Sequence, residues 1–151
     1  MELQHFIDFR HMLHRFPDLS GGEAATRELV RAFIAPFNPD EIHEVGTDVQ
    51  GLLLVYKGKV TGKSILIRSE LDALPIEERN NFSYKSSYKG KSHKCGHDGH
   101  MAILSRLAWL LHGRPLEKGT AYLLFQPAEE NGQGARSILQ DPAFKRIVTS
   151  H

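Results

Sequence analysis

The chain has 151 residues, 40% apolar and 25% charged, with a net charge of +1, the make-up of a soluble globular domain long enough to bury a core. Its charges are interspersed, so no basic stripe suits a nucleic acid, and no apolar run approaches the roughly 20 residues of a membrane span. A lone cysteine, Cys95, excludes an internal disulfide, and without a leader-like apolar start a reducing cytoplasm is the expected location.

In chain order, residues 2–15 place Leu3, Phe6, Ile7, Phe9, Met12 and Leu13 at helical spacing, predicting a helix that stops before Phe16-Pro17. The stretch DLSGGEAATRELVRAFIAPF predicts a second helix, with Ser20 as N-cap, Glu23 completing a capping box and Pro36 as terminator. Both read as scaffold. From residue 42 the period changes. GLLLVYKG and KSILIRSELDALP are branched apolar runs, as expected of strands buried on both faces, and the short KVTG between them suits a hairpin. EERNNFSYKSSYKGKSHK reads as a surface loop, His93 included. Asp98 is placed to cap a helix with Met101, Ile103, Leu104, Leu107, Ala108 and Leu111 in its core, ending near Gly113. GTAYLLFQ predicts another buried strand and GQGARSILQD another short helix. The whole implies one α/β domain: a mixed, mainly parallel central sheet from runs near 52–56, 64–71 and 120–126, with helices on both faces.

The chemistry gathers where predicted strands end. SHKCGHDGHMA packs three histidines around Cys95. A Cys-x-His pair lets a thiolate and an imidazole turn toward one ion, and zinc accepts both ligand types. The alternative is a buried thiol among surface histidines. In LLFQPAEENG, Glu129 and Glu130 end an apolar run broken by Pro127. Adjacent carboxylates repel unless cations or hydrogen bonds stabilise them; a solvated turn is the bland reading. Strand ends are nevertheless where α/β folds place their sites. Asp72 is a third acid leaving a buried strand. Three such clusters favour a metal hydrolase.

Four stretches, LHRFPDLSGGEAAT, IRSELDALPIEE, HKCGHDGHMAIL and LLFQPAEENGQGAR, resemble in their order the amidohydrolase branch of the dinuclear metallopeptidase family, the branch of hippurate hydrolase, N-acetyldiaminopimelate deacetylase and the auxin-conjugate hydrolases. The resemblance implies that Cys95, His97 and Glu130 ligate metal, that Glu129 is the general base and that Asp72 supports the site. His100 belongs to the motif but reads as a packing or supporting residue rather than a ligand, and Glu70 reads as a structural strand-end group. The resemblance implies divalent ions, two per complete site, with zinc, manganese, cobalt and nickel all compatible with a Cys/His/Glu set. The implied reaction is metal-assisted cleavage of the amide of a small N-acyl amino acid, with no nucleic-acid or membrane partner and with a homo-oligomer compatible. It also implies that residues 1–151 are the N-terminal portion of a catalytic domain. The lid and dimerisation domain, the C-terminal part and two further histidine ligands are then expected elsewhere, and His151 is left unassigned. The competing expectation is a truncated, non-catalytic remnant with a weak metal site.

Overall fold

The computed structural model describes residues 1–149, so His151 lies outside the described residues. Helix α1 (Leu3–Arg15) buries Phe6, Phe9 and Leu13 at three- and four-residue spacing, and it stops where Pro17 disfavours helical backbone at Phe16. Helix α2 (Ala24–Ile34) runs into a 3₁₀ turn, Ala35–Phe37. Its start differs from the expected capping box. Asp18 Oδ2 accepts both the Thr26 amide and the Thr26 hydroxyl at 2.9 Å, while Ser20 and Glu23 turn their side chains to other partners described below.

The strands are β1 (Glu41–Val45), β2 (Gly51–Lys57), β3 (Val60–Glu70) and β4 (Lys118–Gln126), and α3 (His97–Gly113) separates the last two. They lie in the order β1-β2-β4-β3. The sheet is mixed, as expected, but the parallel share is small. Strand β3 pairs with β4 in parallel, whereas β1·β2 and β2·β4 are antiparallel. Only the β3–β4 connection carries the helix that a parallel crossover needs. The expected β2–β3 hairpin does not form, because β4 inserts between the two strands. Backbone amides of Gly58, Lys59 and Val60 bond to the carbonyls of Gly119, Leu116 and Glu117 instead of closing a turn.

Strand alternation sends Leu52, Leu54, Tyr56, Ala121, Leu123 and Phe125 to a core with α1, α2 and α3. It sends Leu53, Val55, Tyr122 and Leu124 to a second core with α4 (Gln133–Gln140) and α5 (Pro142–Thr149). Each fully buried side chain of this kind contributes about 1.5–3 kcal/mol. Helices therefore cover both faces. Strand β3 departs from the expectation of burial on both faces: residues 60–68 are exposed, because β4 pairs one edge and no described strand pairs the other. In α3, Met101, Leu104 and Ala108 are buried as expected, but Ile103 is 70% exposed. Among the described residues, no helix is long and apolar enough to cross a membrane.

Candidate metal centre

Because β3 and β4 are parallel, their C-terminal ends share one edge of the sheet, and the Leu71 amide donates to the Gln126 carbonyl at 2.8 Å to hold them together. Asp72 follows β3 and is fully buried. Its Oδ2 accepts from the Ser20 hydroxyl at 2.7 Å and from the Glu130 amide at 2.9 Å. The Asp72 carbonyl accepts from His97 Nδ1 at 2.7 Å. That bond commits the Nδ1 proton and turns Nε2 toward the acids, with Glu129 Oε2 at 3.7 Å and Glu130 Oε1 at 3.8 Å. Ligand atoms of Cys95, His97 and Glu130 lie within 4.8 Å of one another. The structure thus brings together all five residues singled out from the sequence. Cys95 is exposed, which removes the alternative of a buried thiol.

The electrostatics of this edge call for a cation. A hydrogen bond to the Glu130 carboxylate, then burial and the charges of Glu130, Glu129 and Asp72, push the Cys95 thiol up to about 11. Burial alone would push His97 down. The side chain and carbonyl of Asp72, with the charge of Glu70, overcome it and raise His97 to about 9. Burial likewise works against ionisation of Asp72, but His97, the Glu130 amide and Ser20 outweigh it and leave its carboxyl below the usual range. Asp72 Oδ1 faces His97 Nδ1 at 3.3 Å, whereas Glu130 Oε1 is buried, 3.8 Å from His97 Nε2, and has no hydrogen-bond partner. An unpaired buried carboxylate oxygen is costly, and a divalent cation among Cys95, His97 and Glu130 would meet the need of Glu130 while displacing the protons that the thiol and the imidazole otherwise keep. The donors fit the ion.

A second grouping, Glu70, His97 and His100, also has its ligand atoms within 4.8 Å. Here His100 Nδ1 and Glu70 Oε2 already bond each other at 2.7 Å.

Two expectations near the motif are overturned. His93 is not on the surface but 5% exposed, because Leu74 and Ser92 exchange backbone hydrogen bonds at 3.1 Å and draw the loop's end inward. Burial then pushes its imidazole down to about 4. Asp98 is not a cap. Gly96, at φ +85°, starts the helix, and Asp98 turns inward to Arg10 Nε at 3.0 Å and His14 Nδ1 at 2.9 Å. His14 Nε2 meets Glu78 Oε2 at 2.8 Å, and Glu78 also pairs with Lys94. This network pins the metal-site loop to α1. Sequence reasoning missed it; the histidine and acids lie 64 and 84 residues apart, so no local pattern announces them.

Residues 66–151 match the sequence profile of peptidase family M20/M25/M40. The chain belongs to that family. Among its M20/M25/M40 relatives, N-acetylcysteine deacetylase of Bacillus subtilis is 40% identical over 135 residues, covering 89% of this chain and 35% of the relative. Hippurate hydrolase of Campylobacter jejuni is 35% identical over 146 residues, covering 97% of this chain and 37% of the relative. A crystal structure from Bacillus subtilis, described as a dinuclear metal binding peptidase from the M20 family, superposes with a TM-score of 0.85 at 38% identity, covering 91% of this chain and 38% of that one. The chain therefore spans little more than a third of the relatives' length.

Proposed function

We propose that residues 1–151 form the metal-binding, proton-transferring portion of a metal-dependent amidohydrolase that cleaves small N-acyl amino acids. The observation that carries this reading is the convergence of Cys95, His97 and Glu130 ligand atoms within 4.8 Å, with the Glu129 carboxylate 3.7 Å from the same His97 nitrogen. Cys95, His97 and Glu130 are the residues that would hold the ion. A divalent cation, zinc, manganese, cobalt or nickel, supplies polarisation of the scissile carbonyl and acidifies water, and a complete site of this family reading holds two. Glu129 takes the proton of the attacking water and delivers it to the leaving amine. Asp72 orients His97 through its carbonyl and the Glu130 backbone through Oδ2. The names of the relatives, a deacetylase and a hydrolase of N-acyl amino acids, support the substrate class. A cytoplasmic location, a small-molecule substrate and a homo-oligomeric assembly complete the proposal.

The second reading concerns the 151 residues taken alone, and the open flank of β3 favours it. Val60 and Ile65 are each 58% exposed, and a groove of about 380 Å³ lined by Leu66, Leu124, Ile138, Leu139 and Phe144 runs beside the strand to Glu129. A strand edge and apolar flank of this kind expect a cover. By itself the chain is then a self-associating partial domain that binds metal weakly, since three ligands leave positions to water, and that hydrolyses essentially no substrate. Purified chain supplied with zinc or manganese, assayed on N-acetyl and N-benzoyl amino acids beside Glu129→Gln, separates the two readings. Metal-dependent turnover that the variant lacks establishes the hydrolase in this chain; metal binding without turnover supports the partial-domain reading. No metal binding at all refutes the shared site.

A further inference from the structure

We propose that Glu23 is a positioning residue for the Glu129–Glu130 pair, holding the Ala128 peptide in the left-handed conformation that delivers both carboxylates to His97. The significance of the pair rests on the functional reading above; the clamp itself stands on geometry.

Ala128 has φ +46° and is fully buried. Residues other than glycine reach this region only when their surroundings hold them there. Here both polar groups of the residue are held. Its amide donates to Glu23 Oε1 at 2.7 Å, across 105 residues of sequence, and its carbonyl accepts from the Gly134 amide at 3.0 Å. The start of α4 presses on the same peptide so closely that a Cβ at Gly134 would lie 1.6 Å from the Pro127 carbonyl oxygen. The next residues then meet Asp72, through the Glu130 amide, and His97. Glu23 occupies the N-cap position of α2, yet it makes no side-chain cap bond. Asp18 serves the Thr26 amide instead, which leaves the Glu23 carboxyl for Ala128. Glu23 is 5% exposed, and burial raises its pKa; an oxygen of the carboxyl accepts the Ala128 proton in either protonation state. The charge of Asp72 reaches Glu23, but no hydrogen bond joins Glu23 to His97, Glu129 or Glu130 among the described residues; the contact to the glutamate pair runs through Ala128, and Glu23→Gln, which removes the charge and keeps the acceptor, separates the two influences.

The test uses cobalt(II) titration of the full chain, read by the thiolate-to-cobalt absorption of Cys95, together with hydrogen exchange of the Ala128 amide. Glu23→Gln keeps the acceptor and keeps wild-type affinity. Glu23→Met keeps the volume but removes the acceptor. It weakens cobalt binding by roughly tenfold or more, the usual range for partners behind metal ligands, and speeds Ala128 exchange. Adding Ala128→Gly to Glu23→Met recovers most of the loss, because glycine adopts positive φ without steric cost. Equal binding by Glu23→Met and wild type, equal loss in Glu23→Gln, or no recovery with glycine would each overturn the proposal. Folding is followed by circular dichroism. If Glu23→Met does not fold, Ala128→Val is expected to weaken binding and Ala128→Gly to preserve it, and equal binding by these two overturns the clamp. Absence of a thiolate–cobalt band in the wild type refutes the metal reading alone; Ala128 exchange in Glu23→Gln and Glu23→Met still decides the role of Glu23.

Discussion

Two histidines in this chain sit between pairs of carboxylates, and their surroundings differ. Both ring nitrogens of His14 lie within 2.9 Å of carboxylate oxygens, on Asp98 and Glu78, and Arg10 and Lys94 add their charges. His97 spends one nitrogen on the Asp72 carbonyl and faces Glu129 and Glu130 at 3.7 and 3.8 Å with the other, beside a thiol and a carboxylate oxygen without a partner. In the first cluster carboxylates take both ring nitrogens and Arg10 and Lys94 balance the acids, so it acts as a structural tie even though Asp98 Oδ1 has no hydrogen-bond partner. In the second, a thiol, an imidazole and a carboxylate converge within 4.8 Å, and that convergence, more than any unpaired oxygen, marks it as a candidate site for an ion.

The largest expected effects fall on the His97 cluster. In a complete enzyme built on this chain, Glu129→Gln should keep metal and lose about 10² to 10⁴ in rate, whereas Glu130→Gln should lower metal occupancy. Metal analysis of both proteins beside their turnover checks the division, and the reverse pattern would exchange the two roles. In the His14 cluster, His14→Leu removes one buried partner from each of Asp98 and Glu78, which keep Arg10 and Lys94, and should cost about 1–3 kcal/mol of unfolding free energy, measured by urea titration in metal-free buffer. A loss that appears only with metal present would break the contrast.

A similar effect is readable by pH. Burial works against ionisation of Glu78, but Lys94, the Ser86 amide, His14 and Asn80 outweigh it and bring its pKa to about 2. A carboxyl whose pKa falls on folding stabilises the fold where it is ionised in both states, above the ordinary value of 4.5, and the contribution fades as pH falls toward 2. Glu78→Gln should therefore be less stable than wild type by on the order of 2 kcal/mol near pH 7, with the gap closing on acidification between those two values. A gap that stayed constant with pH would show that Glu78 acts by packing. The smallest effect is expected on the open sheet edge. Leu66→Ala there should cost less than about 1 kcal/mol, against about 2–5 for the same truncation at fully buried Leu54. A large loss at Leu66 would mean that the edge is covered in solution, and sedimentation would show by what mass.

Residue chemistry alone determined much of this protein. A shared location for Cys95, His97, Glu129, Glu130 and Asp72 was legible because a thiol, an imidazole and acids stand at the ends of apolar runs; their division into ligands and base came only from the resemblance to a family. Helices α1 and α3 and the apolar runs of β2 and β4 were legible because periodicity is a local property. Tertiary structure decided the rest, wherever the partner is distant in sequence. Ser20 reads as a cap until Asp72, 52 residues on, takes its hydroxyl. KVTG reads as a hairpin until β4 enters between the strands, and β3 reads as fully buried although one of its edges has no described partner. Glu23 reads locally as half of a capping box, and nothing local announces its bond to Ala128. A left-handed alanine and the carboxyl that holds it are set by the closing of the chain across 105 residues, where the energy of one buried hydrogen bond and a close helix contact overrides local backbone preference.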